Sequence, residues 1–135
     1  MTSWQLTRHA GPLAAARLDP HDSVPAWALD DAHPAAFWSV QRTVDELTII
    51  CAYDALPGTV TAVGPFTAFS IDGPLDHSLT GVLAGLTAPL APAGISILAQ
   101  STYDTDWILV PLEQADQAAE VWEAEGHTVE TEDEP

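Results

Sequence analysis

The stretch Phe66-Thr67-Ala68-Phe69-Ser70-Ile71-Asp72-Gly73-Pro74 opens the half of the chain that decides the fold. Phe69 and Ile71 alternate with Ala68, Ser70 and Asp72, which is the period of a half-buried strand. Gly73-Pro74 stops it. Asp76 or Ser78 then offers an N-cap, and Leu79, Val82, Leu83, Leu86 and Leu90 recur at helical spacing. Pro89 predicts a kink or an early end, because a proline ring crowds the preceding turn. Ile95 to Ser101 reads as a buried, β-branched strand, Thr102 to Thr105 as a polar turn, and Trp107 to Val110 as the second arm of a hairpin. Glu113 to Glu125 predicts a helix with Leu112, Ala115, Ala119 and Trp122 on one side and Gly126 as its stop. His127 to Thr131 alternates like a last edge strand. The order is β-α-β-β-α-β, a ferredoxin-like pattern of class α+β. Right-handed crossovers place both helices on one face of a four-stranded antiparallel sheet.

The half before this stretch is less regular. Trp4 to Arg8, Ala14 to Leu18, Phe37 to Gln41 and Leu47 to Ala52 read as strands, and Ser23 to Leu29 as a short helix. Thr43-Val44-Asp45-Glu46 has capping-box spacing and predicts one helical turn. These elements fit a shortened copy of the second unit. Ala55-Leu56-Pro57-Gly58-Thr59 is a linker with a turn dipeptide. The expected organisation is therefore an N-terminal unit over 1–61, a second unit over 62–131 and an acidic tail over 132–135.

Composition narrows the function. The chain has 135 residues, with three basic side chains against twenty acidic ones and a formal net charge of −17. The bases are Arg8, Arg17 and Arg42, and lysine is absent. Nucleic acid is excluded as a partner, since three arginines cannot displace the counterions of a phosphate backbone. Anionic membrane surfaces are excluded for the same reason. Schiff-base and P-loop chemistry lack their lysine. No apolar run reaches the roughly 18 residues of a membrane span. No basic segment leads into an apolar one at the start, so no signal peptide is expected, and the single Cys51 allows no internal disulfide. A cytoplasmic protein follows as the expectation.

The segments Gly73-Pro74-Leu75-Asp76-His77-Ser78-Leu79-Thr80-Gly81-Val82-Leu83, Ala93-Gly94-Ile95-Ser96-Ile97 and Ser101 to Val110 resemble the small bacterial ACT-domain proteins. These are similar to the regulatory ACT domains of aspartate kinases and to the CASTOR arginine sensors. Val24 to Leu29, Phe37 to Thr43 and Asp45 to Cys51 extend the resemblance more weakly. It implies two ACT-type βαββαβ units, a regulatory role, no catalytic residues and no cofactor. It implies a small-molecule ligand, with an amino acid as the leading class, and a homodimer through ACT–ACT pairing as one arrangement. The implied ligand-binding residues are Asp76, Ser78, Leu79, Thr80, Gly81 and Val82 on one loop, and Thr102, Tyr103, Asp104, Thr105 and Asp106 on the hairpin. His77 departs from the aromatic expected at its position.

The chemistry of those residues suits an amino acid. Early helical N–H groups at Ser78–Val82 favour a carboxylate. Asp76, Asp104 or Asp106 accepts from an ammonium, and Thr102 and Thr105 add hydroxyls. Each residue also has a plainer role, in a cap or a turn. Asp72, Asp76, Asp104 and Asp106 lack the spacing of a cation loop, and His9, His21, His33, His77 and His127 are scattered, so no metal is expected. Nothing singles out a carboxylate pair for acid–base work. Cys51 lies in an apolar strand and reads as a small hydrophobe. A ligand-free module for protein–protein interaction or dimerisation is the alternative function. The site lies within one chain or between two.

Overall fold

The computed structural model describes residues 2–30 and 32–132. The chain divides into two compact units, Gly11–Phe66 and a second formed by Met1–Ala10 with Thr67–Pro135. The latter, the terminal unit, contains β1 (Gln5–Arg8), α1 (Val82–Thr87), β6 (Leu98–Ser101), β7 (Asp106–Pro111), α2 (Ala115–Ala124) and β8 (Thr128–Thr131). The former, the central unit, contains β2 (Leu13–Leu18), β3 (Ser39–Arg42) and β4 (Leu47–Ala52). The long strand β5 (Ala62–Ile71) gives its first half to the central unit and its second to the terminal one.

The terminal unit is the expected α+β, ferredoxin-like array with one strand added. Its strand order is β6-β7-β5-β1-β8. The addition is β1, which had been expected in the N-terminal unit over 1–61. It pairs antiparallel with β5, setting Leu6 against Ile71 and Arg8 against Phe69. On its other side it runs parallel to β8, Gln5 against Thr128 through Arg8 against Thr131. The sheet of this unit is therefore five-stranded and contains the parallel β1–β8 pair, rather than four-stranded and antiparallel throughout. The boundary expected at 61/62 falls instead within β5. Glu132, expected in a tail, donates its N–H to Arg8 O at 2.8 Å; Asp133, Glu134 and Pro135 lie outside the described residues.

The core explains the helices. Leu6, Phe69, Ile71, Ile108 and Val110 present one sheet face to Val82, Leu86, Leu90, Ala115, Ala118 and Trp122. Trp122 is fully buried, donates from Nε1 to Leu86 O at 2.7 Å and meets Phe69 edge-on at 4.9 Å. The buried stripe of α2 uses Ala118 where Ala119 was expected, and Leu112 stays exposed. Gly126 ends that helix in a left-handed conformation, φ 94°. Pro89 acts as its chemistry requires: α1 gives way to a 3₁₀ turn at Ala88–Leu90. The strand expected from Ile95 begins later, at Leu98, because Gly94 and Ile95 turn back to bond Ala91 O and Leu90 O.

The central unit is an antiparallel sheet in the order β3-β4-β2-β5. Its described residues form 3₁₀ turns at Ala26–Leu29 and Tyr53–Ala55 and no α-helix. A full βαββαβ copy is thus not realised here. The capping-box segment forms a hairpin turn instead. Thr43 Oγ1 does accept from the N–H groups of Asp45 and Glu46, both at 3.1 Å. But Thr43 N–H bonds Glu46 O across the β3–β4 turn, and the Glu46 carboxylate turns to Arg17 at 2.7 Å. Cys51 is buried beside Ala16, Ala28 and Ile49. Burial pushes its thiol up from the ordinary value of 9.0, so the nucleophilic thiolate is disfavoured.

Candidate functional site

The terminal unit carries a cavity of about 380 Å³ where the loop after β5 faces the β6–β7 hairpin. Two hydrogen bonds bring these segments together. Leu75 N–H bonds Asp104 O at 2.7 Å, and Thr105 Oγ1 donates to Ile71 O at 2.6 Å. Gly73 makes the approach feasible: a Cβ there would stand 2.9 Å from Leu75 N and 3.2 Å from Asp104 O. The hairpin tip closes on itself, with Thr102 N–H donating to Thr105 O at 2.8 Å. At the rim His77 Nε2 lies 2.6 Å from Tyr103 O, and the two rings meet edge-on at 4.8 Å.

Of the eleven expected residues, Asp76, Leu79, Gly81, Val82, Thr102, Tyr103, Asp104, Thr105 and Asp106 line this cavity. Ser78 and Thr80 are not among its walls. Leu75, His77, Leu83 and Ser101 also line it and are not among the expected residues. The matching segments of the resemblance contain Leu75, Leu83 and Ser101; His77 departs from the family pattern, yet it bridges loop and hairpin.

The local chemistry differs from the expectation at the helix start. Neither Asp76 nor Ser78 is the N-cap; α1 begins at Val82 behind Gly81, whose φ of 79° suits glycine. Asp76 forms an Asx turn instead. Its Oδ1 accepts from Ser78 Oγ at 2.7 Å and from Ser78 N–H at 2.8 Å, while its carbonyl takes Leu79 N–H at 3.0 Å. The N–H groups of Ser78 and Leu79 are therefore committed within the loop. Donors for an anion shift to the first turn of α1, ahead of the Gly85-to-Gly81 bond. Thr102 and Thr105 likewise donate their hydroxyl protons to Thr105 O and Ile71 O. Their oxygens remain as acceptors, beside the carboxylates of Asp76, Asp104 and Asp106.

Asp76 reports on this loop. The Ser78 hydroxyl first, and the Ser78 N–H second, hold its carboxyl below the ordinary 3.8. A lowered folded-state value means that the contribution is complete above 3.8 and fades as pH falls through the folded value. Ser78→Ala removes the larger cause, so the Asp76 titration followed by carboxyl NMR will move up toward 3.8. A titration unchanged by Ser78→Ala would mean that the turn does not form in solution.

The walls hold three carboxylates and no arginine. The arginines are engaged elsewhere: Arg8 with Asp116 at 2.6 Å, Arg17 with Glu46, and Arg42 with the carbonyls of Pro20 and Asp22. No group of three or more His, Cys, Asp or Glu among the described residues is arranged to hold a metal ion. No helix among them is long and apolar enough to cross a membrane.

Comparison with known proteins agrees with this architecture. The family model for the ACT domain matches residues 47–123, more than half of the chain. A second model, for an N-terminal domain, matches residues 11–59. Among solved structures, a protein from Agobacterium tumefaciens is 31% identical, with a TM-score of 0.90, over 99% of this chain and 97% of its own. A Vibrio cholerae protein of unknown function, described as a possible transport protein, is 20% identical with a TM-score of 0.72, covering 90% and 89%. The regulatory subunit of aspartate kinase from Thermus flavus is 16% identical with a TM-score of 0.59, covering 91% and 96%. The last two likenesses are likenesses of fold. No curated protein sequence matches the chain.

Proposed function

The chain belongs to the ACT-domain family, and on that premise we propose that it is a regulatory protein binding a small molecule, an amino acid, in the cavity beside Asp76 and the Thr102–Asp106 turn. The observation that carries this reading is the convergence of two separate loops on one cavity of about 380 Å³, a volume suited to a metabolite. Asp76, Asp104 and Asp106 accept from the ammonium. The carboxylate turns to the backbone N–H groups at the start of α1, since the threonine hydroxyls already donate within the protein.

Membership of the ACT-domain family supports binding without turnover at this cavity. His77 is the imidazole at its wall, and its Nε2 points at the Tyr103 carbonyl, which accepts only. That nitrogen therefore carries the proton and is committed to holding the hairpin, while Nδ1 keeps the ring's lone pair. The buried free thiol of Cys51 suits the reducing cytoplasm. A homodimer through ACT–ACT pairing fits this reading, with stoichiometry deciding whether one chain or two complete the site.

A thermal-shift screen over the common amino acids tests the proposal. A ligand that binds only the native state at a hundred times its Kd adds about 2.7 kcal/mol and raises Tm. The shift should shrink in Asp104→Asn. The absence of any shift at millimolar concentrations would overturn the amino-acid reading.

A further inference from the structure

We propose that Ser70 is an activated nucleophile that accepts an acyl group from small, activated esters or thioesters. Its Oγ lies 2.7 Å from His9 Nε2. The other ring nitrogen of His9, Nδ1, meets the carboxylate of Glu132. A carboxylate only accepts, so in the neutral ring the proton sits on Nδ1. Nε2 then presents its lone pair, and the Ser70 hydroxyl is the donor. Hydroxyl, imidazole and carboxylate stand in the order of nucleophile, base and orienting group, linked through the two ring nitrogens that this order requires.

The fold holds the three in place. Ser70 is on β5, His9 follows β1, and Glu132 follows β8. His9 N–H bonds Ala68 O on the serine's strand at 2.9 Å, and Glu132 N–H bonds Arg8 O, the residue before His9, at 2.8 Å. The imidazole stacks on Trp107 with centroids 4.7 Å apart and planes 25° from parallel. The His9 side chain keeps 14% of its surface exposed, which shields it from water, while Ser70 stays half-buried and within reach.

A serine on a strand face grips a substrate weakly, so the donor must bring its own activation, as a thioester or an aryl ester does. The indole of Trp107 gives an aryl or acyl chain a surface to lie against. Ser70 Oγ attacks the donor carbonyl. The Oγ–C bond forms, and the bond from that carbon to the leaving sulfur or oxygen breaks. The hydroxyl proton passes to His9 Nε2 and then to the departing thiolate or phenolate. The products are a serine ester and a thiol or phenol, with no change of oxidation state. One donor is consumed per chain, so this is a modification and is independent of the ligand reading.

The test uses p-nitrophenyl acetate with the whole chain, followed by intact-mass and peptide mass spectrometry. The expected result is one acetyl group, on the peptide containing Ser70 and on no other serine. Ser70→Ala should abolish it. His9→Gln, which keeps the hydroxyl, should slow it by about a hundredfold, the ordinary worth of a general base. Glu132→Gln should slow it less, since it acts by positioning the ring. Far-UV circular dichroism checks that each variant is folded. If Ser70→Ala fails to fold, the His9→Gln rate alone decides. Acetylation spread over other serines, no acetylation of the natural chain, or a rate unmoved by His9→Gln would each overturn the proposal.

Discussion

Replacing Trp122 by alanine will cost the terminal unit about 3–5 kcal/mol, the usual range for a large buried aromatic. Three losses add up at this position. The indole is fully buried in the core between the helices and the sheet. Its edge-on contact with Phe69 disappears. The Leu86 carbonyl, which accepts from Nε1 at 2.7 Å, is left without that donor in a dry site. Natural domains are stable by about 5–15 kcal/mol, so one such change consumes a large share of the margin. Urea unfolding followed by circular dichroism reads the effect as a fall in midpoint. Trp122→Phe separates the terms, because it restores most of the volume but not the donor; its cost should be well under half of that of alanine. A loss below about 1 kcal/mol for alanine would contradict the burial described here.

The same tryptophan shows what the sequence discloses. Helical spacing marked Trp122 and Ala115 as one face of a helix, and they are buried together. Spacing could not choose between Ala118 and Ala119, which flank the line from Ala115 to Trp122 on its two sides. Period-2 alternation likewise identified the strand within β5, and the apolar run at Leu47–Ala52 read as another. It could not say which sheet the strand at Gln5–Arg8 would join, because its partners lie at residues 69–71 and 128–131. Pairing is a long-range property, and local composition does not carry it. The start of α1 was misplaced for a related reason. An aspartate two residues before a serine fits an N-cap and an Asx turn equally well. The contact of Leu75 with Asp104 selects the turn. At the site, both cavity segments were legible as loops and the resemblance joined them; the bridging role of His77 was not, since it depends on the fold of a hairpin 26 residues away. The Ser70–His9–Glu132 array was invisible, because its members are 61 and 123 residues apart.

Gly73→Ala should damage the cavity far more than it damages the fold. The position is crowded by backbone rather than by flexible side chains: an added methyl would stand 2.9 Å from Leu75 N, 3.2 Å from Asp104 O and 3.4 Å from Thr105 Cβ. Backbone atoms cannot rotate away, so the loop must distort at Leu75 and stand off the hairpin at Asp104 by a few tenths of an ångström. The bond that feels this first is Leu75 N–H to Asp104 O, the 2.7 Å link that closes the cavity. Overpacking of this kind costs about 1–3 kcal/mol. The core residues Phe69, Trp122 and Leu86 lie elsewhere in the unit and keep their contacts. The strain therefore falls on the relation between the two loops that line the cavity. If it is relieved by opening them, the same 1–3 kcal/mol appears as a loss of ligand affinity of about fivefold to a hundredfold. Calorimetric titration with whichever amino acid the screen identifies gives that ratio, and urea unfolding gives the stability change on the same protein. A weakened Kd with a nearly unchanged midpoint is the expected pair of results. A lowered midpoint with unchanged affinity would mean that the ligand does not need these loops held together, and would move its site away from them.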